Sequence, residues 1–180
     1  MSISLVVAWA GSAAPTRESW QQQIAAAGLP LQLGELDESS GLEGFWSAVW
    51  QGRPSGFDWQ LRPADADLGG PPGGCAAVIV GRGDNTPAAL AAAAALAELM
   101  EGTLEDPQGG DTLCAHEALP WARVQITAWQ QAQDEGDAPE CIADRAWGPT
   151  GSRTWSRMGR VVTGLLILAL LAVGLTLLLR

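Results

Sequence analysis

The hydrophobic and polar positions of this chain change period several times, and each period predicts a different kind of element. The largely apolar run over residues 3–9 predicts a buried strand. Residues 57–61 alternate Phe, Trp and Leu with polar side chains, which predicts a strand with one solvated face. Residues 75–80 are continuously apolar and predict another buried strand. Short extended segments are expected over 31–36 and 103–105.

Four other segments carry the spacing of helices. Apolar side chains recur at helical intervals over residues 16–27, 41–51, 87–101 and 119–133. A threonine begins the first of these segments, where its hydroxyl can cap the helix. Thr86 stands in the same way before the alanine-rich third segment and is followed by a proline, which suits a first helical position. Helices therefore alternate with strands along the chain.

This order of elements predicts the fold class and the domain organisation. We expect an α+β fold with a mixed sheet, helices packed on one face, and an arrangement of the split β-α-β type. Residues 1–133 are long enough to form one acidic soluble domain with a real core. Residues 134–160 are polar and then basic, and are interpreted as a linker and a juxtamembrane stem.

The most apolar stretch of the chain lies near its C-terminal end. Nineteen residues without a charge run from Val161 to Leu179. A helix rises about 1.5 Å per residue, so this stretch would span roughly 28 Å, close to the hydrocarbon thickness of a bilayer. The sequence therefore predicts one C-terminal transmembrane helix and a single-pass, tail-anchored protein.

Charges around this segment predict its orientation. Arg153, Arg157 and Arg160 precede it, and Arg180 alone follows it. Because positive residues are retained on the cytoplasmic side, the N-terminal domain is expected in the cytoplasm. Trp155 is suited to anchor the helix at the membrane interface.

Composition restricts the cellular location and the classes of binding partner that this chain can have. Six of the ten basic residues, all arginine, share the first 150 residues with all twenty acidic residues, which gives that part a net charge of −14. Such a domain repels nucleic-acid phosphates, so nucleic-acid binding is excluded as a function class. The absence of lysine and the abundance of Ala, Gly and Arg indicate a GC-rich bacterial gene, hence the bacterial inner membrane. The N-terminal residues lack the positive charge of a secretory signal peptide.

The single histidine invites a search for nucleophilic or metal chemistry. His116 lies two residues after Cys114, whereas catalytic Cys–His pairs usually meet from distant segments. Cys75 and Cys141 would complete a set of zinc-ligand types, but no C-x-x-C or H-x-x-x-H spacing supports it. We therefore assign no catalytic, cofactor or metal site, and interpret the cysteines as free, mostly buried thiols.

Carboxylates also crowd around residues 107–110. Glu101, Glu105, Asp106 and Asp111 could bind Ca²⁺ or Mg²⁺, but they lack the alternating ligand spacing of a calcium loop. A solvated acidic loop is the favoured interpretation.

Nine tryptophans give the chain an unusual aromatic content. Three are expected to build the core near two phenylalanines, the five being Phe45, Trp46, Trp50, Phe57 and Trp59. Others suit a binding surface, where Trp is enriched. The candidate interaction surface consists of Trp121, Trp129, Glu101, Asp106 and Asp111.

Three segments together carry a resemblance. They are the turn GRPSGFD over residues 52–58, the alanine-rich helix of 87–100, and EGTLEDPQGG over 101–110. The pattern resembles small uncharacterised bacterial α/β domains with an SGFE turn, an Ala-rich helix and a DPQ-x-G loop, some of them near toxin or secretion loci. This chain departs from it with Asp58 in place of Glu and Glu101 in place of Gly. The resemblance implies a fold and a bacterial origin, and it carries over no catalytic residue.

These observations predict a tail-anchored inner-membrane protein that presents a cytoplasmic protein-interaction domain. An immunity-type or secretion-accessory role would suit it. Its expected partners are the lipid bilayer, through the C-terminal helix, and a protein; no cofactor and no enzymatic activity are expected. Two alternatives stay open, namely a small accessory subunit of a larger integral membrane complex and a membrane-tethered metal-dependent enzyme.

Overall fold

A seven-stranded sheet and three helices make up the part of the chain that the computed structural model describes, residues 2–35, 43–64 and 70–134. A short 3₁₀ turn precedes the second helix. The strands are β1 (Ser2–Trp9), β2 (Leu31–Leu33), β3 (Glu43–Trp50), β4 (Arg53–Pro63), β5 (Cys75–Arg82), β6 (Thr103–Asp106) and β7 (Asp111–Cys114). The helices are α1 (Arg17–Ala26), α2 (Thr86–Leu99) and α3 (Ala115–Asp134).

The predicted α+β class is confirmed, but the sheet is antiparallel throughout instead of mixed. Its strand order is β2-β3-β4-β5-β1-β6-β7, and each neighbouring pair is antiparallel. The reason is that tight connections join β3 to β4 and β6 to β7, and hairpins pair antiparallel. The expected split β-α-β arrangement is present, because α2 joins β5 to β6 and these two strands lie on either side of β1, antiparallel to it.

The alanine-rich helix α2 is the centre of the domain. Its residues from Thr86 to Ala97 are at most 1% exposed. It packs on β1, β4 and β5 of the sheet, and α1 and α3 pack against it in turn. A helix that is apolar on all sides is stable only when it is enclosed, and alanine side chains let neighbouring backbones approach closely. Composition alone thus explains why this helix is the buried one.

An aromatic cluster fills the core between α1 and the strands β3 and β4. Trp20 lies at ring-centroid distances of 5.0 Å from Trp46, 5.9 Å from Phe57 and 5.4 Å from Trp59. Its indole N–H donates to the carbonyl oxygen of Ala92 at 3.0 Å, so the buried polar atom is satisfied. The core role predicted for Trp46 and Trp59 is confirmed by this packing.

The helix predicted over residues 41–51 is wrong, because the described part of this segment is β3. The strand buries alternate side chains against the helices, namely Trp46, Ala48 and Trp50. It pairs along its whole length with β4 through a two-residue turn at Gln51 and Gly52, whose φ angles are 49° and 79°. Positive φ at both positions is the geometry of a hairpin turn. The apolar residues of this short aromatic segment fit both the helical period and the strand period. The backbone hydrogen bonds of the hairpin with β4 stabilise the strand.

The first residues of the helices agree only in part with the positions predicted from the sequence. Thr16 caps α1 as predicted, since its hydroxyl oxygen accepts the Ser19 N–H at 3.1 Å. Thr86 does not cap α2: the 3₁₀ turn that ends at Asn85 brings Thr86 inside the helix, where its hydroxyl is buried without a partner. The third helix begins at Ala115, four residues before the predicted start.

Helix α1 closes one edge of the sheet. The Gln21 side-chain amide donates to the carbonyl oxygen of Leu31 at 3.1 Å and accepts the Leu33 N–H at 2.7 Å. The Arg17 guanidinium donates to the carbonyl oxygens of Leu33 and Gly34 at 3.0 Å and 2.8 Å. Backbone groups of an exposed edge strand would otherwise pair with another chain. Side chains therefore block β2 as a site of strand addition.

Within the described ranges, no helix is both long enough and apolar enough to cross a bilayer. The predicted transmembrane segment and its anchor residues lie outside the described residues and stay predictions. These anchor residues are Arg153, Trp155, Arg157, Arg160, Val161 and Leu179.

Candidate functional site

One face of the sheet carries the three described helices, and the opposite face, here called the open face, carries none of them. The strand register places side chains of four strands side by side on it. Phe45, Asp58, Val80 and Ser4 form one such row across β3, β4, β5 and β1. The open face is therefore assembled from strands that are distant in sequence.

Half of the open face is covered. A small second cluster of buried side chains lies there, formed by Val6, Ala8 and Ala76. Ala64, after the end of β4, packs on this cluster. A Cβ added to Gly70 would lie 3.2 Å from the Cβ of Ala8, so the chain before β5 crosses the sheet at this point. Among the described residues, nothing covers the other half of the face.

The uncovered half forms a shallow groove of about 610 Å³, here called the Phe45 groove. Its lining residues are Glu43, Gly44, Phe45, Asp58, Trp59, Gln60, Val78 and Val80. Phe45, expected in the core, is instead 54% exposed, because the pleat of β3 turns Trp46 inward and its neighbour outward. The Phe45 ring covers Gly56 of β4, where an added Cβ would overlap it.

Polar side chains lie between the apolar side chains of the Phe45 groove, because Asp58 and Gln60 of β4 separate Phe45 from Val78 and Val80 of β5. The Arg82 guanidinium lies 3.1 Å from the Asp58 carboxylate in an exposed ion pair. The Gln60 side-chain amide donates to the Glu43 carboxylate at 2.8 Å. Apolar side chains mixed with charged and hydrogen-bonding groups are usual in protein-binding surfaces.

The five residues of the predicted interaction surface lie on different elements. Trp121 is 5% exposed in the core on α3, and Trp129 of the same helix is half-buried. Asp106 is 5% exposed and its carboxylate accepts the Gln108 N–H at 3.0 Å, which stabilises the β6–β7 turn. Asp111 lies opposite Asp106 in the register of the β6–β7 hairpin. Glu101 is exposed just after α2. Buried side chains cannot contact a partner directly, so two of these five residues cannot belong to an interaction surface. The sequence analysis did not predict the open face. The signal that could have revealed it was the alternation of buried and exposed side chains around Phe45.

A second candidate site lies where β7 meets α3, and is here called the thiol cluster: Cys114, His116 and Glu117. The Cys114 backbone N–H donates to the Glu117 carboxylate at 3.0 Å, as in a capping box. The Cys114 thiol donates to the same oxygen at 2.8 Å and lies 3.2 Å from His116 Nδ1. The sequence analysis did not single out Glu117. A glutamate three residues after the N-cap position is a recognisable capping signal, and Cys114 occupies that position.

The electrostatics of the thiol cluster favour the protonated thiol. The hydrogen bond to Glu117 raises the pKa of Cys114, with lesser contributions from burial and from the negative charge of that carboxylate. The same hydrogen bond, followed by that from the Cys114 backbone, lowers the pKa of Glu117. A nucleophilic cysteine needs the opposite shift, because the thiolate is the reactive form. The contact between Cys114 and His116 therefore does not form an activated nucleophile.

Replacing Glu117 by glutamine should lower the pKa of Cys114. The amide oxygen can still accept the backbone N–H of Cys114, but the negative charge that stabilises the S–H is gone. We expect the midpoint of the pH dependence of alkylation by iodoacetamide to fall in E117Q. The measurement uses full-length protein in which Cys75→Ser and Cys141→Ser leave Cys114 as the single thiol. An unchanged or higher midpoint would contradict this account of the hydrogen bond.

Two further sequence expectations meet the structure at this site. Cys114, expected among mostly buried thiols, is exposed, whereas Cys75 is half-buried. Of the hypothetical zinc set, Cys75 is not part of the thiol cluster, and Cys141 lies outside the described residues. Among the residues that the structure describes, the thiol cluster is the one group of three metal-ligand side chains that converge.

Comparisons with protein-family models, curated proteins and solved structures found no match to this chain. The resemblance to small bacterial α/β domains therefore stays a prediction. Function has to be inferred from the Phe45 groove, the thiol cluster and the sequence beyond residue 134.

Proposed function

We propose that this chain is a tail-anchored protein of the bacterial inner membrane whose cytoplasmic domain binds a partner protein through the Phe45 groove. The observation that carries the proposal is the aromatic ring of Phe45, which is 54% exposed on a sheet face that the described residues cover only in part. Large aromatic side chains contribute most of the binding energy of many interfaces. An immunity-type or secretion-accessory role is the setting in which such a non-enzymatic domain would act.

The shape of the groove supports a protein partner over a small molecule. Small-molecule sites are concave and enclose most of the ligand surface. The Phe45 groove is a shallow part of a sheet face, where apolar Phe45, Val78 and Val80 lie beside charged groups. Strand addition at β2 is an unfavourable alternative, because Gln21 and Arg17 already occupy its edge.

Charge indicates the chemistry of the partner. The first 150 residues carry a net charge of −14, and the groove itself contains Glu43 and Asp58. A partner segment with an apolar side chain for the groove and flanking Lys or Arg residues would complement both features. Opposite potentials speed encounter and select the partner.

The C-terminal sequence supports the membrane location. Nineteen residues without a charge, with three arginines before them and one after, suit a single span with the domain in the cytoplasm. Such an anchor would confine the domain to two dimensions near membrane-bound or membrane-targeted partners.

The test is affinity purification of the full-length protein from its native host in mild detergent, with the bound proteins identified by mass spectrometry. Phe45→Asp removes the central ring and places a charge in the groove, and Glu43→Lys reverses one charge and leaves Phe45 in place. Val124→Asp is the matched control, because Val124 is 49% exposed on α3, away from the groove. Unfolding curves of each variant separate lost binding from lost folding.

We expect one stoichiometric partner with the wild type and with V124D, and its loss with folded F45D and E43K. Removal of an interface aromatic should weaken binding at least about 30-fold, which corresponds to roughly 2 kcal/mol. A chain ending at Thr150 should keep the partner and leave the membrane fraction. Partners that survive F45D and disappear only with the span would instead indicate an accessory subunit of a membrane complex, and the proposal would fail.

A further inference from the structure

We infer that the thiol cluster is a binding site for a divalent transition metal ion, with Zn²⁺ as the best match. Cys114 Sγ, a ring nitrogen of His116 and a carboxylate oxygen of Glu117 lie within 4.8 Å of one another. They are three different ligand types that all bind zinc, and three protein ligands plus a solvent molecule complete a tetrahedral site. This inference is independent of the Phe45 groove.

The distances between the ligand atoms are close to those a metal requires. Zinc bonds of about 2.3 Å to sulfur and about 2.0–2.1 Å to nitrogen or oxygen, at tetrahedral angles, separate the ligand atoms by about 3.5 Å. In the structure, Sγ of Cys114 lies 3.2 Å from His116 Nδ1 and 2.8 Å from Glu117 Oε2. Small rotations of exposed side chains would open this space to fit the ion.

The fold holds the three ligands together before any ion arrives. Cys114 ends β7, which is hydrogen-bonded to β6, and the other two ligands lie in the first turn of the 20-residue helix α3. The Cys114 backbone N–H bonds to Glu117 and fixes the angle between strand and helix. Because the ligands lie within four residues on rigid elements, little chain entropy is lost on binding.

Ligand type selects the metal. A thiolate and an imidazole prefer zinc, cobalt and related transition metals, whereas calcium and magnesium prefer sites made of oxygen atoms alone. The thiolate and the carboxylate together carry two negative charges, which balance a divalent ion. The N-terminal end of α3 opposes a cation with about half an elementary charge, so these two anionic ligands outweigh it.

Binding must displace a proton. The Cys114 thiol gives up its proton to solvent as the sulfur–metal bond forms, and the S–H···O hydrogen bond to Glu117 is replaced by an oxygen–metal bond. Affinity should therefore rise with pH until the thiol is deprotonated without the metal. No electron is transferred, so neither an oxidant nor a reductant is needed.

Titration of the full-length protein with Co²⁺ tests the inference, since a cobalt–thiolate bond gives a charge-transfer absorption in the near ultraviolet. Cys75→Ser and Cys141→Ser together form the background, in which Cys114 is the single thiol. On that background, Cys114→Ser removes the sulfur, His116→Ala removes the imidazole, and Glu117→Gln retains the capping oxygen but removes the charge. Zn²⁺ is then added to displace the cobalt.

We expect the absorption in the background protein, its loss in C114S, and its displacement by Zn²⁺. Affinity should fall at least about tenfold in H116A and in E117Q. Absence of the absorption in the background protein would overturn the inference, as would an affinity in H116A and E117Q equal to that of the background protein. Circular dichroism of each variant shows that the loss of binding does not reflect unfolding.

Discussion

Replacing Trp20 by alanine is expected to lower the free energy of unfolding by about 3–5 kcal/mol. The side chain is fully buried and packs against Trp46, Phe57 and Trp59. Its removal leaves a cavity between α1, α2 and the sheet, and it also removes the hydrogen bond to the Ala92 carbonyl oxygen. A domain of this size is stable by about 5–15 kcal/mol, so much of that margin would be lost.

Urea denaturation of the full-length protein, followed by far-ultraviolet circular dichroism, measures this change. Trp20→Phe is the matched variant, because it keeps one six-membered aromatic ring and loses the indole N–H together with the five-membered part of the indole. It should cost clearly less than Trp20→Ala. Equal losses in the two variants would mean that the hydrogen bond to Ala92, and not the packing of the cluster, accounts for the stability.

Enlarging Ala89 to leucine is expected to destabilise the domain by about 1–3 kcal/mol, through overpacking. Ala89 is fully buried on the face of α2 that approaches β5. A Cβ added to Gly81 of β5 would lie only 2.7 Å from the Ala89 Cβ, so the helix and the strand are in close contact. A leucine at this position can be accommodated only if α2 moves away from the sheet.

The matched control for this change is Ala26→Leu, the same substitution at an exposed position of α1. Its effect should stay within about 0.5 kcal/mol, as is usual for exposed sites. Thermal and urea unfolding of both variants give the comparison. A destabilisation of similar size in the two proteins would show that α2 can relax around the larger side chain.

The two proposed sites differ in what they require of the chain. Binding at the Phe45 groove depends on a face of the sheet far from α3, whereas metal binding depends on the first turn of α3. F45D should leave the cobalt absorption intact, and C114S should leave partner capture intact. If each variant disturbed both readouts, a shared change in folding would be the cause.

Periodicity in the sequence was sufficient to predict an element wherever only one type of secondary structure fitted the pattern. The largely apolar runs of β1 and β5 and the alanine-rich α2 could be assigned directly as strands and helix, because each fitted a single pattern. The aromatic segment of β3 fitted two periods, and its pairing with β4 was needed to choose. Phe45 moved from core to surface as a direct consequence of that choice.

The thiol cluster is a functional example of what the sequence pattern could not predict. The spacing of Cys114, His116 and Glu117 was visible in the sequence, but their convergence depends on α3 beginning at Ala115. The helix was predicted to begin four residues later, which would leave these side chains in a loop. The carboxylates around the β6–β7 turn had the opposite outcome, since Asp106 is used inside the turn and is not available as a ligand.

The sequence by itself determined the α+β class, the presence of the alanine-rich helix, and the acidic character of the domain. These properties depend on composition and on local periodicity. Only the tertiary structure decided the antiparallel strand order, the exposure of Phe45 on a half-covered sheet face, and the approach of three metal ligands at the start of α3. Each of these depends on hydrogen bonds and contacts between distant segments, or on the residue at which an element begins, and local pattern specifies neither.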